Sequence, residues 1–463
     1  MPPDAAGISS FVLLFRRRLA FLDGAVAEIS PAGRGLAMKR LSMSPVLFSM
    51  LVCAAIISSA EAAELLFKDG QYSFQMLRAV AAVPGGAADV GECLATGYRI
   101  KEGDDESWYR EWLATAERRE KTGDEFLDHG RRTSARQEFL RASNYYRTAE
   151  FFLRSDPRDP RIVDTWRKGR DSFLKFARLA DHPILPVEIP FEGKMLPGYL
   201  CLVDKSGKKR PLFIIQTGFD GTKEEIYYTN AAFAVKRGYN CLLFEGPGQG
   251  QVIREQKIPF RHNWETVVTP VVDFALKRRE VDPKRIAYMG ISFGGYLAPR
   301  AVAYEHRIRA CIVNGGVYDF HAAVAKEGVD RYLDDPNGAR EVDKEIYETM
   351  KKDSSLRWAF GNGLFTFGAE SPSEWIRMTR PYTMKDSAPK IRCRMLVVDS
   401  EGDKDMPGQA RQLYDALQCP KDFMLFTKDD GAEEHCQVGA AYFSNARILD
   451  WLDDAMKGPP SKR

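Results

Sequence analysis

From about residue 185 onward, short Val, Ile and Leu runs alternate with amphipathic segments, and this predicts an α/β fold, a mostly parallel sheet with helices on both faces. Two further observations shape that prediction. Residues 64–181 carry helical periodicity throughout, which predicts a helical layer ahead of the sheet, and the first two strand-like runs form a hairpin that supplies an antiparallel edge. A chain of 463 residues is long enough for one large domain plus an accessory one.

Taken in order, "DESWYREWLATAERREKTGDEFLDHG", "SARQEFLRASNYYRTAEFFL" and "VDTWRKGRDSFLKFARLA" place apolar residues three and four apart with charges between, and breaks fall at His129-Gly130 and "SDPRDPR". The aromatics Trp108, Trp112, Tyr145, Tyr146, Phe151 and Phe152 could line a pocket, but packing between helices is the preferred reading. After "DHPILP" the pattern changes. "VEIPF" and "LPGYLCLV" flank Glu192-Gly193-Lys194 as a hairpin. Strands "PLFIIQT", "NCLLFE" and "RIAYMGI" alternate with helices "EEIYYTNAAFAVKRG" and "NWETVVTPVVDFALKRR". A helix from Phe293, the strand "RACIVNG", an insertion over 317–391, the strand "CRMLVVDS", a helix near 408–417, the strand "DFMLFTK" and a helix to about Met456 complete the second region, 185–463.

The composition, 44% hydrophobic and 28% charged, is that of a globular protein. Net charge is +3, and no basic block exceeds Arg16-Arg17-Arg18, which argues against nucleic acid as a partner. Residues 1–62 depart from this pattern. From Met38, Lys39 and Arg40 precede roughly a dozen mostly apolar residues and then Ala60-Glu61-Ala62, the layout of a secretory signal peptide, with a buried or membrane-anchoring helix as the alternative. The run is short for a membrane span, so no stable span is expected once the signal is removed. Residues 1–37 make a poor signal n-region, which points to Met38 or Met43 as the true start. The expectation is a periplasmic or secreted protein, or a cytoplasmic one if the segment is not a signal. The eight cysteines show no C-x-x-C pair or metal-ligand spacing and read as small buried residues rather than a disulfide framework.

The chemistry centres on "YMGISFGGYLAP", Tyr288 to Pro299. A buried strand ends at Gly290-Ile291 and a helix begins at once, the strand-turn-helix that a G-x-S-x-G nucleophile elbow requires; an ordinary loop serine is the alternative. Such a turn lifts the Ser292 hydroxyl to the carboxyl edge of the sheet and sets the Phe293 N–H at a helix N-terminus, where it can donate to an oxyanion. A serine needs a base oriented by a carboxylate, in the order Ser, Asp, His. After "CRMLVVDS" comes "EGDKDMP", where Asp405 is the expected acid, Asp403 the runner-up, and Asp319 in "GGVYDF" a third candidate. After the last strand, "DDGAEEHCQVG" supplies His435. His129, His182, His262, His306 and His321 are less well placed. The loop Gly218-Phe219-Asp220-Gly221 should give the second oxyanion donor, the Phe219 N–H. Acidic groups beside an oxyanion hole oppose the developing charge. Glu224 and Glu225 are explained as first-turn helix residues, whereas Asp220 is not.

Together "GFDGTKEE", "FEGPGQG", "GISFGG", "EGDKD", "GAEEHCQ" and the helical "RASNYYRTAEFFL" resemble the α/β-hydrolase family that holds FrsA-like esterases, 2,6-dihydroxypseudooxynicotine hydrolase-type enzymes and fungal polyketide-shortening hydrolases. The similarity runs from about Glu106 onward. It implies an α/β-hydrolase core with a helical cap (64–181), no cofactor or metal, and a triad on Ser292, Asp405 and His435. Pseudooxynicotine-type hydrolases have a glutamate matching Asp220 that is thought to act on the substrate; aspartate is one methylene shorter. The resemblance favours cleavage of a carbon–carbon bond in an aromatic or polyketide-like 1,3-diketone. Carboxylesterase, an exopeptidase of prolyl-oligopeptidase type and a catalytically inactive binding protein remain alternatives. The expected partner is a small-molecule substrate, with a homodimer left open.

Overall fold

The computed structural model describes residues 65–325 and 328–457. The expected signal segment therefore lies outside the described residues. Five helices come first: α1 (Gly70–Val80), α2 (Val90–Gly97), α3 (Asp105–Asp128), α4 (Arg132–Glu150) and α5 (Arg161–Leu179). Asp69, Asp89 and Asp104 start the first three by accepting first-turn N–H groups that have no partner within the helix. α3, α4 and α5 pack in succession, and their aromatics serve that packing. Trp108 meets Phe152 edge-on at 5.1 Å, Trp112 lies 5.4 Å from Tyr145, and the Trp108 indole N–H donates to the Thr148 carbonyl at 2.8 Å.

The sheet has eight strands: β1 (Ile184–Phe191), β2 (Lys194–Cys201), β3 (Arg210–Gln216), β4 (Asn240–Phe244), β5 (Val281–Ile291), β6 (Ala310–Asn314), β7 (Arg394–Ser400) and β8 (Lys421–Phe426). Their order is β1-β2-β4-β3-β5-β6-β7-β8. The β1–β2 and β2–β4 pairs are antiparallel, and every pairing from β4 to β8 is parallel. The hairpin closes through Glu192 and Gly193, both at positive φ (46° and 77°), as a two-residue turn between twisted strands demands. Every residue of β4 and β6 is buried; since successive side chains point to opposite faces, both faces there are covered.

The connecting helices are α6 (Lys223–Ile226), α7 (Ala232–Lys236), α8 (Glu265–Leu276) and α9 (Gly294–Val302). The single helix expected after β3 is interrupted between α6 and α7 by a π-turn, Tyr227–Ala231. After β6 the insertion folds as α10 (Phe320–Val324), α11 (Asp330–Leu333), α12 (Pro336–Met350), α13 (Ser354–Phe367) and α14 (Pro372–Thr379). α15 (Gln409–Ala416) links β7 to β8, and α16 (Ala441–Met456) closes the chain against β5 and β6. Among the described residues no helix is long and apolar enough to cross a membrane, and the seven described cysteines are free thiols.

Candidate active site

β5 ends where the backbone must reverse into α9, and Ser292 holds the reversal at φ 60°, a region costly for any residue with a Cβ. Its N–H donates to the Asn314 carbonyl of β6 at 2.8 Å, and its carbonyl accepts from the Gly295 N–H at 2.6 Å, so the turn is tied on both sides. Glycine is obligatory beside it. A Cβ on Gly290 would fall on the Gly294 carbonyl oxygen, and one on Gly295 on that of Gly315.

His435 arrives from the loop after β8. Its turn is pinned by Gln437, whose amide donates to Asn314 Oδ1 and Ser400 Oγ, both at 2.9 Å. His435 Nε2 lies 2.9 Å from Ser292 Oγ, and Nδ1 lies 2.7 Å from Asp403 Oδ2. The carboxylate on the imidazole is thus Asp403, the sequence runner-up, and not the expected Asp405. Asp405 Oδ2 stands 3.8 Å from Nδ1 with 64% of its side chain exposed, against 4% for Asp403. The cause is the tight turn after β7. The Asp403 N–H donates to the Ser400 carbonyl at 3.1 Å, and Asp403 Oδ1 accepts the N–H groups of Asp405 (2.9 Å) and Met406 (3.2 Å). This folds Asp403 back over the sheet edge and turns Asp405 outward. Cys436 Sγ also lies 3.4 Å from His435 Nε2.

These contacts set the charges. Burial alone would lower the His435 pKa, but the Asp403 carboxylate overrides it and holds the imidazole well above its ordinary value. Asp403 is driven the other way: burial opposes its ionisation, yet His435 and the two backbone N–H groups keep it below the usual carboxylate range. Asp403, Asp405 and His435 can bring ligand atoms within 4.8 Å of one another. Both His435 nitrogens are already engaged, Nδ1 by Asp403 and Nε2 by Ser292.

The loop after β3 lies directly against the elbow. A Cβ on Gly218 would come within 2.5 Å of the Phe293 nitrogen and 3.0 Å of Ser292 Cβ. The Phe219 ring stacks on Trp375 at 5.9 Å and meets Trp358 edge-on at 6.1 Å, while Trp358 stacks on Phe151 at 4.5 Å. The insertion aromatics therefore join the turn after α4 to the loop after β3. Asp220 is paired with Arg78 of α1 at 2.7 Å, and Arg78 also grips Glu225 through two 2.7 Å hydrogen bonds. Burial would raise Asp220, but Arg78 and Arg154 hold it below the usual carboxylate range. Glu224 and Glu225 are more than first-turn helix residues. They are buried, with Glu224 accepting from the Tyr199 hydroxyl at 2.8 Å and pairing with Lys223 at 3.0 Å. Asp319 caps α10, accepting from the Ala322 N–H, and His321 bonds Thr379 and Asp330.

Residues 226–458 match the prolyl oligopeptidase family. The chain belongs to that family of α/β-hydrolases. Hydrolase acrC of Aspergillus aculeatus is 36% identical over 411 residues, covering 83% of this chain and 96% of the relative. The 20-hydroxy-prefusarin hydrolase FUS2 of Gibberella moniliformis is 32% identical over 410 residues, covering 84% and 97%. Among solved structures, a 2,6-dihydroxy-pseudo-oxynicotine hydrolase superposes with a TM-score of 0.65 at 20% identity, covering 81% of this chain and 95% of that one. The shared fold is an α/β-hydrolase, and the named relatives make this hydrolase-family chain a hydrolytic enzyme. The family match does not include the first five helices.

Proposed function

We propose that Ser292, His435 and Asp403 form a serine-hydrolase triad that cleaves a carbon–carbon bond in an aromatic or polyketide-like 1,3-diketone. The observation that carries the triad is the continuous chain from Ser292 Oγ through both His435 nitrogens to Asp403, with links of 2.9 and 2.7 Å, set on an elbow at positive φ. The motif resemblance to pseudooxynicotine-type and polyketide-shortening hydrolases supports the carbon–carbon bond over a simple ester, and a 32% identical relative is named as a 20-hydroxy-prefusarin hydrolase.

In this reading His435 Nε2 takes the Ser292 proton as Oγ bonds to the carbonyl carbon. The carbonyl electron pair moves to an oxyanion met by the Phe219 and Phe293 N–H groups. The oxyanion collapses and the bond to the central carbon breaks. Its electron pair leaves as an enolate, which takes the proton from His435. Water, deprotonated by His435, then releases the acyl group as a carboxylic acid, regenerating Ser292. Overall one water converts the diketone into an acid and a ketone. Asp403 holds the imidazole in the Nδ1–H tautomer and balances its charge.

The test is a panel of aromatic 1,3-diketones, aryl esters and aminoacyl amides, with fluorophosphonate labelling of wild type and Ser292→Ala. Diketone turnover should exceed ester and amide turnover, and Ser292→Ala should lose labelling and on the order of 10⁴-fold or more in kcat. Equal labelling of the two proteins would end the triad reading. Faster turnover of esters or amides would end the carbon–carbon reading alone.

A further inference from the structure

The motif "FEGPGQG" follows β4, away from the reacting groups, and its glutamine reaches the loop that carries the oxyanion donor. Gln249 is 2% exposed, and its Nε2 donates to the Thr217 carbonyl at 2.7 Å and the Gly218 carbonyl at 3.2 Å. Asn362 of α13, fully buried, donates from Nδ2 to the Phe219 carbonyl at 3.1 Å. Arg154, in the 3₁₀ turn Phe151–Ser155 that follows α4 and 2% exposed, donates from Nη1 to the Asp220 carbonyl at 3.2 Å and to Asn362 Oδ1 at 3.1 Å. Four successive carbonyls, 217 through 220, are each held by a buried side-chain N–H.

This fixes the N–H groups as well. In a trans peptide the carbonyl of one residue and the N–H of the next point in opposite directions across one rigid plane. Gln249 grips the plane shared by Gly218 and Phe219, so drawing the Gly218 oxygen toward Gln249 turns the Phe219 N–H away from it. Asn362 fixes the next plane and removes the rotation by which the loop could relax. The clamp is itself immobilised. Gln249 Oε1 accepts the Gly246 N–H at 3.0 Å. Arg154 is held by Glu150, which also accepts from Arg254 at 2.6 Å.

We infer that Gln249, supported by Asn362 and Arg154, is the positioning residue that aims the Phe219 N–H at the substrate oxyanion. The inference rests on the serine-hydrolase reading above. A pre-aimed donor acts only as negative charge develops, so its loss lowers kcat and leaves ground-state binding in place.

The experiment measures kcat, KM and the affinity of a tetrahedral mimic, an aryl trifluoromethyl ketone, for Gln249→Leu, Gln249→Glu and Asn362→Leu. Gln249→Glu keeps the acceptor for Gly246 while losing both amide donors. Each Gln249 variant should lose about 10²-fold in kcat, the order found for removing one oxyanion donor, with KM within about threefold. Affinity for the mimic should fall by the same factor as kcat/KM. Folded Gln249 variants with kcat within about threefold of wild type, or with unchanged mimic affinity, overturn the inference. So does failure of all three variants to fold, since the clamp is then a requirement of folding. Ser292→Ala is assayed in parallel: if it stays active the triad reading fails, whereas an inactive Ser292→Ala beside a normal Gln249→Glu removes only the positioning role.

Discussion

Replacing Asp403 and Asp405 by asparagine, singly and together, discriminates between the two carboxylates that face one imidazole. Asp403 lies 2.7 Å from Nδ1 and is almost fully buried. At an effective dielectric near 20, charges at that distance attract by about 6 kcal/mol. An asparagine there can present its N–H₂ to Nδ1, which forces the proton onto Nε2, where the serine proton must be accepted. Losing both the charge and the tautomer should cost on the order of 10⁴-fold in kcat. Asp405 lies at 3.8 Å and is mostly exposed, so its attraction is closer to the value in water, about 1 kcal/mol, or about sixfold in rate. Asp405→Asn alone should therefore lose no more than about sixfold, and adding it to Asp403→Asn about sixfold again. The assay is steady-state hydrolysis of the best substrate, with the amount of folded enzyme set by circular dichroism. A loss above about 10³-fold in Asp405→Asn, with Asp403→Asn within tenfold of wild type, would reverse the assignment and refute the reasoning from distance and burial.

Three other outcomes follow from the same contacts. Because His435 is held above the ordinary imidazole range and must be neutral to accept the serine proton, kcat/KM should rise with pH through a value above that range, and in Asp403→Asn the limb should move to lower pH; a wild-type limb at or below the ordinary imidazole value would contradict the pairing. Ser292 occupies φ 60°, so Ser292→Gly should be inactive yet more stable than Ser292→Ala by about 1 kcal/mol in urea unfolding, and equal stabilities would mean the elbow stores no strain. Arg78→Met strips the counter-charge from buried Asp220 and Glu225 and should destabilise by about 3 kcal/mol. The contribution from Asp220, whose pKa is depressed in the folded protein, is present above its unfolded pKa and disappears as pH falls through the folded one, so wild type and Arg78→Met should converge in stability at acid pH.

The fold was legible because strand and helix periodicities differ and because buried parallel strands carry continuous apolar runs, as β3, β4 and β6 do. Ser292 and His435 were legible as candidates because each sits in a loop at the carboxyl edge of a strand. The two aspartates were not separable by strand position alone. Their order depends on a three-residue turn whose hydrogen bonds make Asp403 the residue that folds back, and "DKDMP" shows only two acids two apart. A signal was present, since an Asp whose carboxylate can accept N–H groups two and three residues on tends to anchor such a turn. Arg78, Arg154 and Asn362 had no local signal. They act 142, 66 and 143 residues away along the chain, and only the tertiary fold brings them to the loop. Gln249 stood in a quoted motif without a role, because a side chain that orients a backbone plane leaves no spacing pattern.

The hold of Arg154 and Asn362 on the backbone of residues 219 and 220 bears on how such enzymes can be recombined. Exchanging the helical segments above the sheet as specificity modules assumes that the reaction centre beneath them stays constant. On the positioning role inferred above, the graft boundary would run through that centre, since an arginine from one segment and an asparagine from the other hold its loop. A chimera that imports a foreign helical layer without matching donors for those two carbonyls would inherit a new substrate pocket and a misaligned reaction centre at once. Compatible exchange would have to move both segments together, with Glu150 and Arg254 as part of the joint.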